Sequence, residues 1–137
     1  NIVGVKEASG SLKQMSDVIQ LCGPDFAVLS GDDIFTLALL AMGGKGVISV
    51  ISNVAPADMA GMVDAFAEGD LEKARALHYR LCPLIDALFI ETNPIPVKTA
   101  LAMMGKIDPE LRLPLYRMAE KNEAILKRAM QQYGLIR

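Results

Sequence analysis

The chain has 137 residues, of which 52% are hydrophobic and 22% charged, and its formal net charge is −2. This composition is typical of a folded domain with its own core and excludes a disordered chain. The slightly acidic balance gives no sign of a nucleic-acid partner, and no apolar run reaches the ~20 residues that span a membrane.

The chain opens without an initiator methionine and enters an apolar run at once, over residues 1–5. The run has no basic region before it and no small-residue cleavage pattern after it, so it does not read as a secretory leader. Cys22 and Cys82 lie on predicted helices without metal-ligand spacing, and we expect reduced thiols in or near the core. We therefore expect the carboxyl-terminal part of a longer, cytoplasmic protein.

Up to about residue 55 the apolar segments alternate between strand and helix patterns. Strands are predicted at residues 2–7, 26–30 and 46–51, and the helices between and after them at 12–22, 33–42 and from Pro56 onward. The strands are continuous apolar runs, which is typical of a parallel sheet covered on both faces. The pattern predicts three successive βα units.

Beyond this point every periodic segment is helical. Helices are predicted at residues 56–67, 70–89, 96–104 and 114–133. Pro83 is expected to kink or split the second of them. Residues 91–96 (ETNPIP) are expected to form a rigid extended loop, since a residue before proline is pushed away from the helical region. The helical part is expected to begin near Gly69.

Polar residues follow each predicted strand. Lys6 and Glu7 end the first strand, residues 30–33 (SGDD) follow the second, and Ser52 and Asn53 follow the third. In doubly wound sheets and in (β/α)8 barrels alike, chemistry occurs at the carboxyl ends of parallel strands. The sequence therefore predicts a functional site at this edge of the sheet.

Lys6 is the strongest candidate for chemistry at this edge. An amine at the end of an apolar strand is a candidate nucleophile that forms a Schiff base with a carbonyl substrate. Burial there would favour the neutral, reactive form of the amine. The alternative is a lysine that reaches solvent and pairs with Glu7 or Asp32, and spacing alone does not decide between the two.

The other polar candidates have simpler structural explanations. Asp32 and Asp33 form either an acid–base pair or, as we favour, the cap of the following helix; no third carboxylate supports a metal site. His78, the only histidine, lies on a charged predicted helix and is expected to be a surface or packing residue. The glycine-rich residues 42–50 lack the spacing of a phosphate loop and precede their strand, so a tight turn is expected.

Four segments carry a resemblance to a known family. They are residues 1–10 (NIVGVKEASG), 29–33 (LSGDD), 43–54 (GGKGVISVISNV) and 91–101 (ETNPIPVKTAL). With them the chain closely resembles the carboxyl-terminal half of the dihydrodipicolinate synthase family, pyruvate-dependent class I aldolases that also include N-acetylneuraminate lyase. The segment KEASG is more similar to the synthases than to the sialic-acid lyases.

The resemblance implies an α/β fold that is part of a TIM barrel. Residues 1–69 would be the last three βα units of a (β/α)8 barrel, and residues 70–137 a carboxyl-terminal helical domain. The first five units, which in the family supply a tyrosine proton relay, a threonine that holds pyruvate and an arginine for the second substrate, are not matched. The chain alone is therefore expected to be inactive.

The resemblance also implies a reaction. Lys6 matches the family's Schiff-base lysine, which condenses with the C2 carbonyl of pyruvate; the derived enamine attacks aspartate semialdehyde to give 4-hydroxy-tetrahydrodipicolinate, in lysine and diaminopimelate biosynthesis. Ile48 matches a residue that lines the pyruvate site, and Gly31 matches a position near the second substrate. No metal or organic cofactor is implied. The implied partners are the two small-molecule substrates and, in the intact enzyme, further copies in a dimer or tetramer.

Two alternatives remain open from the sequence. One is another pyruvate-dependent aldolase, similar to N-acetylneuraminate lyase, with a different aldehyde partner. The other is a non-catalytic helical interaction module in which Lys6 is an ordinary surface lysine.

Overall fold

The computed structural model describes residues 1–137 and contains three strands, six α-helices and two short 3-10 helices. The strands are β1 (Gly4–Glu7), β2 (Ala27–Ser30) and β3 (Gly46–Val47). The α-helices are α1 (Leu12–Cys22), α2 (Thr36–Ala41), α3 (Pro56–Ala67), α4 (Leu71–Leu88), α5 (Ile95–Met103) and α6 (Glu120–Tyr133), and the 3-10 helices are Asp33–Phe35 and Ile51–Asn53.

The three strands form one parallel sheet in the order β1-β2-β3. Lys6 pairs with Leu29, and Leu29 pairs with Gly46, so the strands are in register across the sheet. Helix α1 connects β1 to β2, and α2 connects β2 to β3, which confirms the predicted alternation of strands and helices. The tight turn expected before β3 is present, with Gly43 and Gly46 at positive φ.

The third strand is shorter than its apolar run predicts. The prediction of a strand over residues 46–51 is wrong beyond Val47. The buried carboxylate of Asp33 accepts hydrogen bonds from the backbone N–H groups of Val50 and Ile51. Because these donors are taken by a side chain, the backbone leaves the sheet and enters a 3-10 helix at Ile51.

Helix α4 runs through Pro83 without a break, so the helix is not split there, and the kink expected as the alternative stays a prediction. Proline at this position removes one backbone donor, which leaves the carbonyl of Tyr79 without its helical partner. Both side chains are exposed, and a carbonyl on the solvent side of a helix can bind water instead. Gly69 lies in the turn between α3 and α4 at a φ of 82°. A domain boundary there stays a prediction.

Residues 91–96 turn rather than extend. The N–H of Ile95 donates to the carbonyl oxygen of Thr92 at 3.0 Å, and Pro94 has a φ of −99° and a ψ of 21°. The expectation of an extended loop is therefore wrong, because a hydrogen-bonded turn leads directly into α5.

The last helix begins six residues later than predicted, at Glu120 instead of residue 114. Glu91, which follows α4, accepts hydrogen bonds from the backbone N–H of Ala119 at 3.0 Å and from the side chain of Asn122 at 2.8 Å. A carboxylate from a distant part of the chain thus binds the first free donor of α6 and fixes where that helix begins.

The buried apolar residues form two unequal clusters. The smaller one lies between α1, β2 and α2 and consists of Met15, Val28 and Leu39. The larger one has 15 residues and joins the turn after β3 to the helices. Its members are Ile51, Val54, Ala55, Met59, Met62, Leu81, Leu84, Ile85, Ala87, Leu88, Val97, Ala100, Met118, Leu126 and Met130. Most of the core therefore lies on the helical side.

Both cysteines are free thiols, but the expectation that both lie in or near the core is wrong for Cys22. Its side chain is exposed at the end of α1, whereas Cys82 is partly buried on α4. Among the helices, none combines the length and the apolar character that crossing a membrane requires.

Candidate active site

Lys6, Gly31 and Ile48 lie side by side at the carboxyl edge of the sheet. The N–H of Gly31 donates to the carbonyl oxygen of Glu7 at 2.7 Å, and the N–H of Ile48 donates to that of Ser30 at 2.8 Å. Each of these bonds continues the parallel ladder by one step. Lys6 lies near the end of β1, and Gly31 and Ile48 come directly after β2 and β3, so the three residues lie at the same edge of the sheet. We call them the rim row. The structure therefore brings together the three residues that the resemblance singles out.

The stem of Lys6 lies directly over Gly31. A Cβ atom built on Gly31 would lie 2.8 Å from Cε and 3.0 Å from Cγ of Lys6, and 2.6 Å from Cβ of Ala8. These separations are shorter than carbon atoms tolerate. The bare backbone of Gly31 therefore provides the space that the lysine side chain occupies.

Lys6 and Glu7 point to opposite faces of the sheet, as successive residues of a strand do. Glu7 faces α1 and is 5% exposed; its Oε1 atom accepts hydrogen bonds from the N–H of Ser9 and from Nε2 of Gln14, each at 3.0 Å. Neither of the two ion pairs in the structure includes Lys6. The pairing of Lys6 with Glu7 or Asp32 that the sequence allowed is therefore absent.

The expectation that Lys6 is buried is wrong for this chain, since its side chain is exposed. Lys6 lies on β1, an outer strand of the sheet, which has a neighbouring strand on one side only. The sequence shows an apolar strand, but it does not show which other elements pack on each face.

The two aspartates after β2 have different roles. Asp32 caps the first 3-10 helix, as predicted, by accepting a hydrogen bond from the N–H of Ile34 at 3.4 Å. Asp33 is 1% exposed and binds the N–H groups of Val50 at 2.9 Å and Ile51 at 3.0 Å. Burial raises the pKa of its carboxyl above the ordinary value of 3.8, and the hydrogen bonds around it offset only part of that rise.

The contact from Asp33 to the turn after β3 is a feature that the sequence reasoning missed. A signal was present, because Asp33 stands three and seven residues before Thr36 and Leu40, which are buried. Residues at that spacing share one face of a helix. An aspartate at the start of a buried helical face is expected to point into the protein and to accept hydrogen bonds from backbone N–H groups there.

His78 lies on α4, outside the rim row, and is partly buried as expected for a packing residue. Its Nε2 atom is 3.6 Å from Sγ of Cys82. Burial lowers the pKa of His78 below its ordinary value of 6.5, which favours the neutral ring. No group of three or more histidine, cysteine, aspartate or glutamate side chains converges in a way that would hold a metal ion.

The chemistry that this edge supports is that of a primary amine. The Nζ atom of Lys6 has no carboxylate partner, its stem is held against a bare glycine, and an apolar side chain lies two strands away at Ile48. An amine so placed can attack a carbonyl carbon and carry the resulting covalent intermediate.

Comparison with known proteins identifies a family whose model matches nearly the whole chain. The model of the dihydrodipicolinate synthetase family matches residues 1–133. The chain belongs to this family. The resemblance drawn from the four sequence segments is thereby confirmed.

Relatives within the dihydrodipicolinate synthetase family are similar over nearly the whole chain. The 4-hydroxy-tetrahydrodipicolinate synthase of Syntrophus aciditrophicus (strain SB) is 71% identical over 136 residues, which cover 99% of this chain and 47% of the relative. The enzyme of the same name from Oleidesulfovibrio alaskensis is 58% identical over 98% of this chain and 46% of its own length. The chain spans about half the length of the curated relatives it matches.

Solved structures of the family share the fold. Dihydrodipicolinate synthase from Aquifex aeolicus is 47% identical and superposes with a TM-score of 0.95 over 98% of this chain and 46% of its own. Chloride-inhibited dihydrodipicolinate synthase from Acinetobacter baumannii, complexed with pyruvate, is 39% identical, with a TM-score of 0.94 over 99% of this chain and 47% of its own. The α/β fold with its parallel sheet is therefore that of about half of a synthase chain.

Proposed function

We propose that this chain supplies the Schiff-base lysine of a 4-hydroxy-tetrahydrodipicolinate synthase, which condenses pyruvate with aspartate semialdehyde. The observation that supports this most directly is the unpaired amine of Lys6 in the rim row. Membership of the family and 71% identity to a protein of that name support the choice of reaction.

Each residue of the rim row has a part in the proposed reaction. The Nζ atom of Lys6 attacks C2 of pyruvate, water leaves, and the protonated imine draws electrons from the methyl carbon as that carbon loses a proton. The enamine then attacks the aldehyde carbon of aspartate semialdehyde, whose oxygen takes up a proton, and the imine on Lys6 forms again. The amino group of the second substrate attacks C2 of this imine, which closes the ring and releases the amine of Lys6. Gly31 gives the lysine stem its space and leaves room for the second substrate, while Ile48 offers an apolar wall to pyruvate. The lysine itself supplies the electron sink.

The proposal includes an architecture. We assign residues 1–69 to the last three βα units of a (β/α)8 barrel and residues 70–137 to a carboxyl-terminal helical domain. The three in-register parallel strands support the first assignment, and the run of helices from α4 to α6 supports the second. The intact enzyme would be a homo-oligomer, with small molecules rather than nucleic acids or membranes as its partners. The two free thiols support a cytoplasmic location for the enzyme.

Chemical trapping of the imine tests the proposal. We define the chimera as the Syntrophus aciditrophicus relative in which this chain replaces the matching 47%. Borohydride reduces an imine to a stable amine, so pyruvate and borohydride together should add one reduced pyruvate to the chimera. Peptide mapping should place this adduct on Lys6. The Lys6→Arg variant keeps the positive charge but lacks a usable amine, and it should lose both the adduct and turnover.

Lys13→Arg is the matched control. Lys13 is an exposed lysine of α1 that pairs with Asp17 at 2.6 Å, so this variant should keep both the adduct and the activity. Adducts scattered over several lysines, or an active Lys6→Arg chimera, would show that Lys6 is not the nucleophile. Turnover with an aldehyde other than aspartate semialdehyde would instead favour a different aldolase of the family.

A further inference from the structure

Asp33 is a charged side chain buried without a cation. It is 1% exposed, and neither ion pair of the structure includes it. Burying an unpaired carboxylate is unfavourable unless hydrogen bonds replace its water. Because burial of this carboxylate opposes folding, the groups that it binds should show why an aspartate is found here.

All hydrogen bonds to the carboxylate converge on the turn that follows the rim row. Its Oδ2 atom accepts from the backbone N–H of Val50 at 2.9 Å and of Ile51 at 3.0 Å. Ile48 is held two residues earlier by its own bond to the carbonyl oxygen of Ser30. The short segment that carries Ile48 is thus fixed at both ends, by the sheet on one side and by Asp33 on the other.

The other carboxylate oxygen has no partner. Oδ1 of Asp33 is buried without a hydrogen bond, and so is the hydroxyl oxygen of Thr36, one helical turn further on. A neutral amide could accept the same two bonds without burying a charge. A carboxylate gives the stronger, charge-assisted version of those bonds. We infer that the rigidity of the turn, and not the stability of the fold, accounts for an aspartate at this position.

We propose that Asp33 is a positioning residue that holds Ile48 at a fixed place beside Lys6 and thereby sets the affinity for pyruvate. This inference rests on the proposed function, in which Ile48 lines the pyruvate site. Asp33 lies on the buried side of the segment and takes no part in the covalent steps. Its loss therefore affects substrate binding more than the chemical steps.

Hydrogen exchange measures the anchor directly, whether or not the reaction is the one proposed. In the chimera, Asp33→Ala should speed the exchange of the amides of Val50 and Ile51. Asp33→Asn keeps one acceptor oxygen but loses the charge, so it should speed that exchange by a smaller factor. Asp70→Asn is the matched control, because Asp70 accepts a bond from the N–H of Lys73 at the exposed start of α4. It should not change exchange in the turn after β3.

Kinetics of the same variants measure the role. Asp33→Ala should raise the KM for pyruvate about tenfold with kcat within about threefold of the parent, because an interaction common to the ground and transition states has been weakened. Asp33→Asn should recover most of that affinity. Borohydride trapping at low pyruvate should follow the same order. Asp70→Asn should match the parent in each assay.

Three results would overturn the proposal. Unchanged exchange at Val50 and Ile51 in Asp33→Ala would show that the carboxylate does not hold the turn. Faster exchange with an unchanged KM would show that the turn does not position the pyruvate site. A loss of kcat well beyond threefold in both the Asn and the Ala variants would show that the charge acts in the reaction itself. If the Ala variant does not fold, the Asn variant alone decides: faster exchange at Val50 and Ile51 together with a KM raised by up to about threefold would support the proposal, and no change in either would overturn it. A parent chimera that forms no pyruvate adduct would refute the proposed function instead, while the exchange results would still report on the anchor.

Discussion

Gly31 has no room for a side chain, because a Cβ atom there would lie 2.8 Å from Cε of Lys6. Gly31→Ala should therefore displace the lysine stem and move its amine by a few tenths of an ångström or more. Since reacting groups must be precisely aligned, we expect the rate of adduct formation in the chimera to fall about tenfold or more. The trapped fraction after brief exposure to pyruvate and borohydride measures this rate.

Gly61→Ala is the control for this prediction. Gly61 lies within α3, and a Cβ there would meet Leu77 at an ordinary 3.5 Å. Alanine in a helix interior is favoured over glycine by about 1 kcal/mol, so this variant should be at least as stable as the parent and should form the adduct at the same rate. Equal rates in the two variants would show that the Gly31 contact does not hold the amine.

Residues differ in how far the sequence can predict their roles. Lys6 could be found because an amine at the end of an apolar strand is unusual in itself, and because the segment around it resembles a known family. For Asp33 the spacing to Thr36 and Leu40 indicates only that the side chain points inward, and an aspartate after a strand is equally suited to capping a helix. Its actual partners lie 17 and 18 residues away, and the pairing depends on how two βα units pack.

Helix α6 is joined to the rest of the molecule by a polar cluster as well as by its apolar face. The hydroxyl of Tyr133 donates to the carboxylate of Asp58 in α3, and Arg80 of α4 lies 3.4 Å from the same carboxylate and 5.0 Å from the centre of the tyrosine ring. Burial, followed by the bond to Asp58, raises the pKa of Tyr133 beyond its ordinary range. The hydroxyl therefore keeps its proton and remains a donor.

Tyr133→Phe removes this donor and keeps the ring. A hydrogen bond to a charged group contributes about 2 kcal/mol, so the free energy of opening of α6 should fall by about that amount. Hydrogen exchange of the α6 amides in the chimera measures it. Tyr116→Phe is the control. Tyr116 is 75% exposed, so its substitution should leave the exchange of the α6 amides unchanged. An unchanged α6 in Tyr133→Phe would show that the apolar face alone holds the helix.

At the level of elements, the sequence predicts the type of each segment well and its ends less well. Periodicity identifies α1, α3 and α4 nearly to the residue, since each has an apolar face and a clear stop. Periodicity overestimates the lengths of β3 and α6. Both elements are shortened by hydrogen bonds to carboxylates from distant positions, Asp33 and Glu91. Such contacts exist only after the chain has folded.

The molecule as a whole leaves both edges of its sheet unpaired, since β1 and β3 are the outer strands. Ile2 and Val3 beside the β1 edge are 79% and 75% exposed. Exposed edges of this kind pair with other chains. We expect the chain on its own to associate, and light scattering together with binding of an apolar dye measures this.

A charged residue at the edge should reduce that association. Val3→Lys is expected to lower the scattering, whereas Leu71→Lys, at a 50% exposed leucine at the start of α4, should not. Equal effects of the two variants would point to general apolar exposure. A monomer that binds no dye would contradict the prediction altogether.

The unequal sizes of the two buried clusters also determine which part of the molecule unfolds most easily. Three residues hold the layer of α1, β2 and α2 together, while fifteen hold the helical side. Local opening is easiest where few apolar contacts must be broken. The strand β1, which carries Lys6, contributes no residue to either cluster. Local unfolding should therefore reach it long before it reaches α4 or α6. In the proposed reaction the amine of Lys6 would then lie on a part of the chain that opens easily, and the surface that packs over β1 in the intact enzyme would decide how rigidly that amine is held.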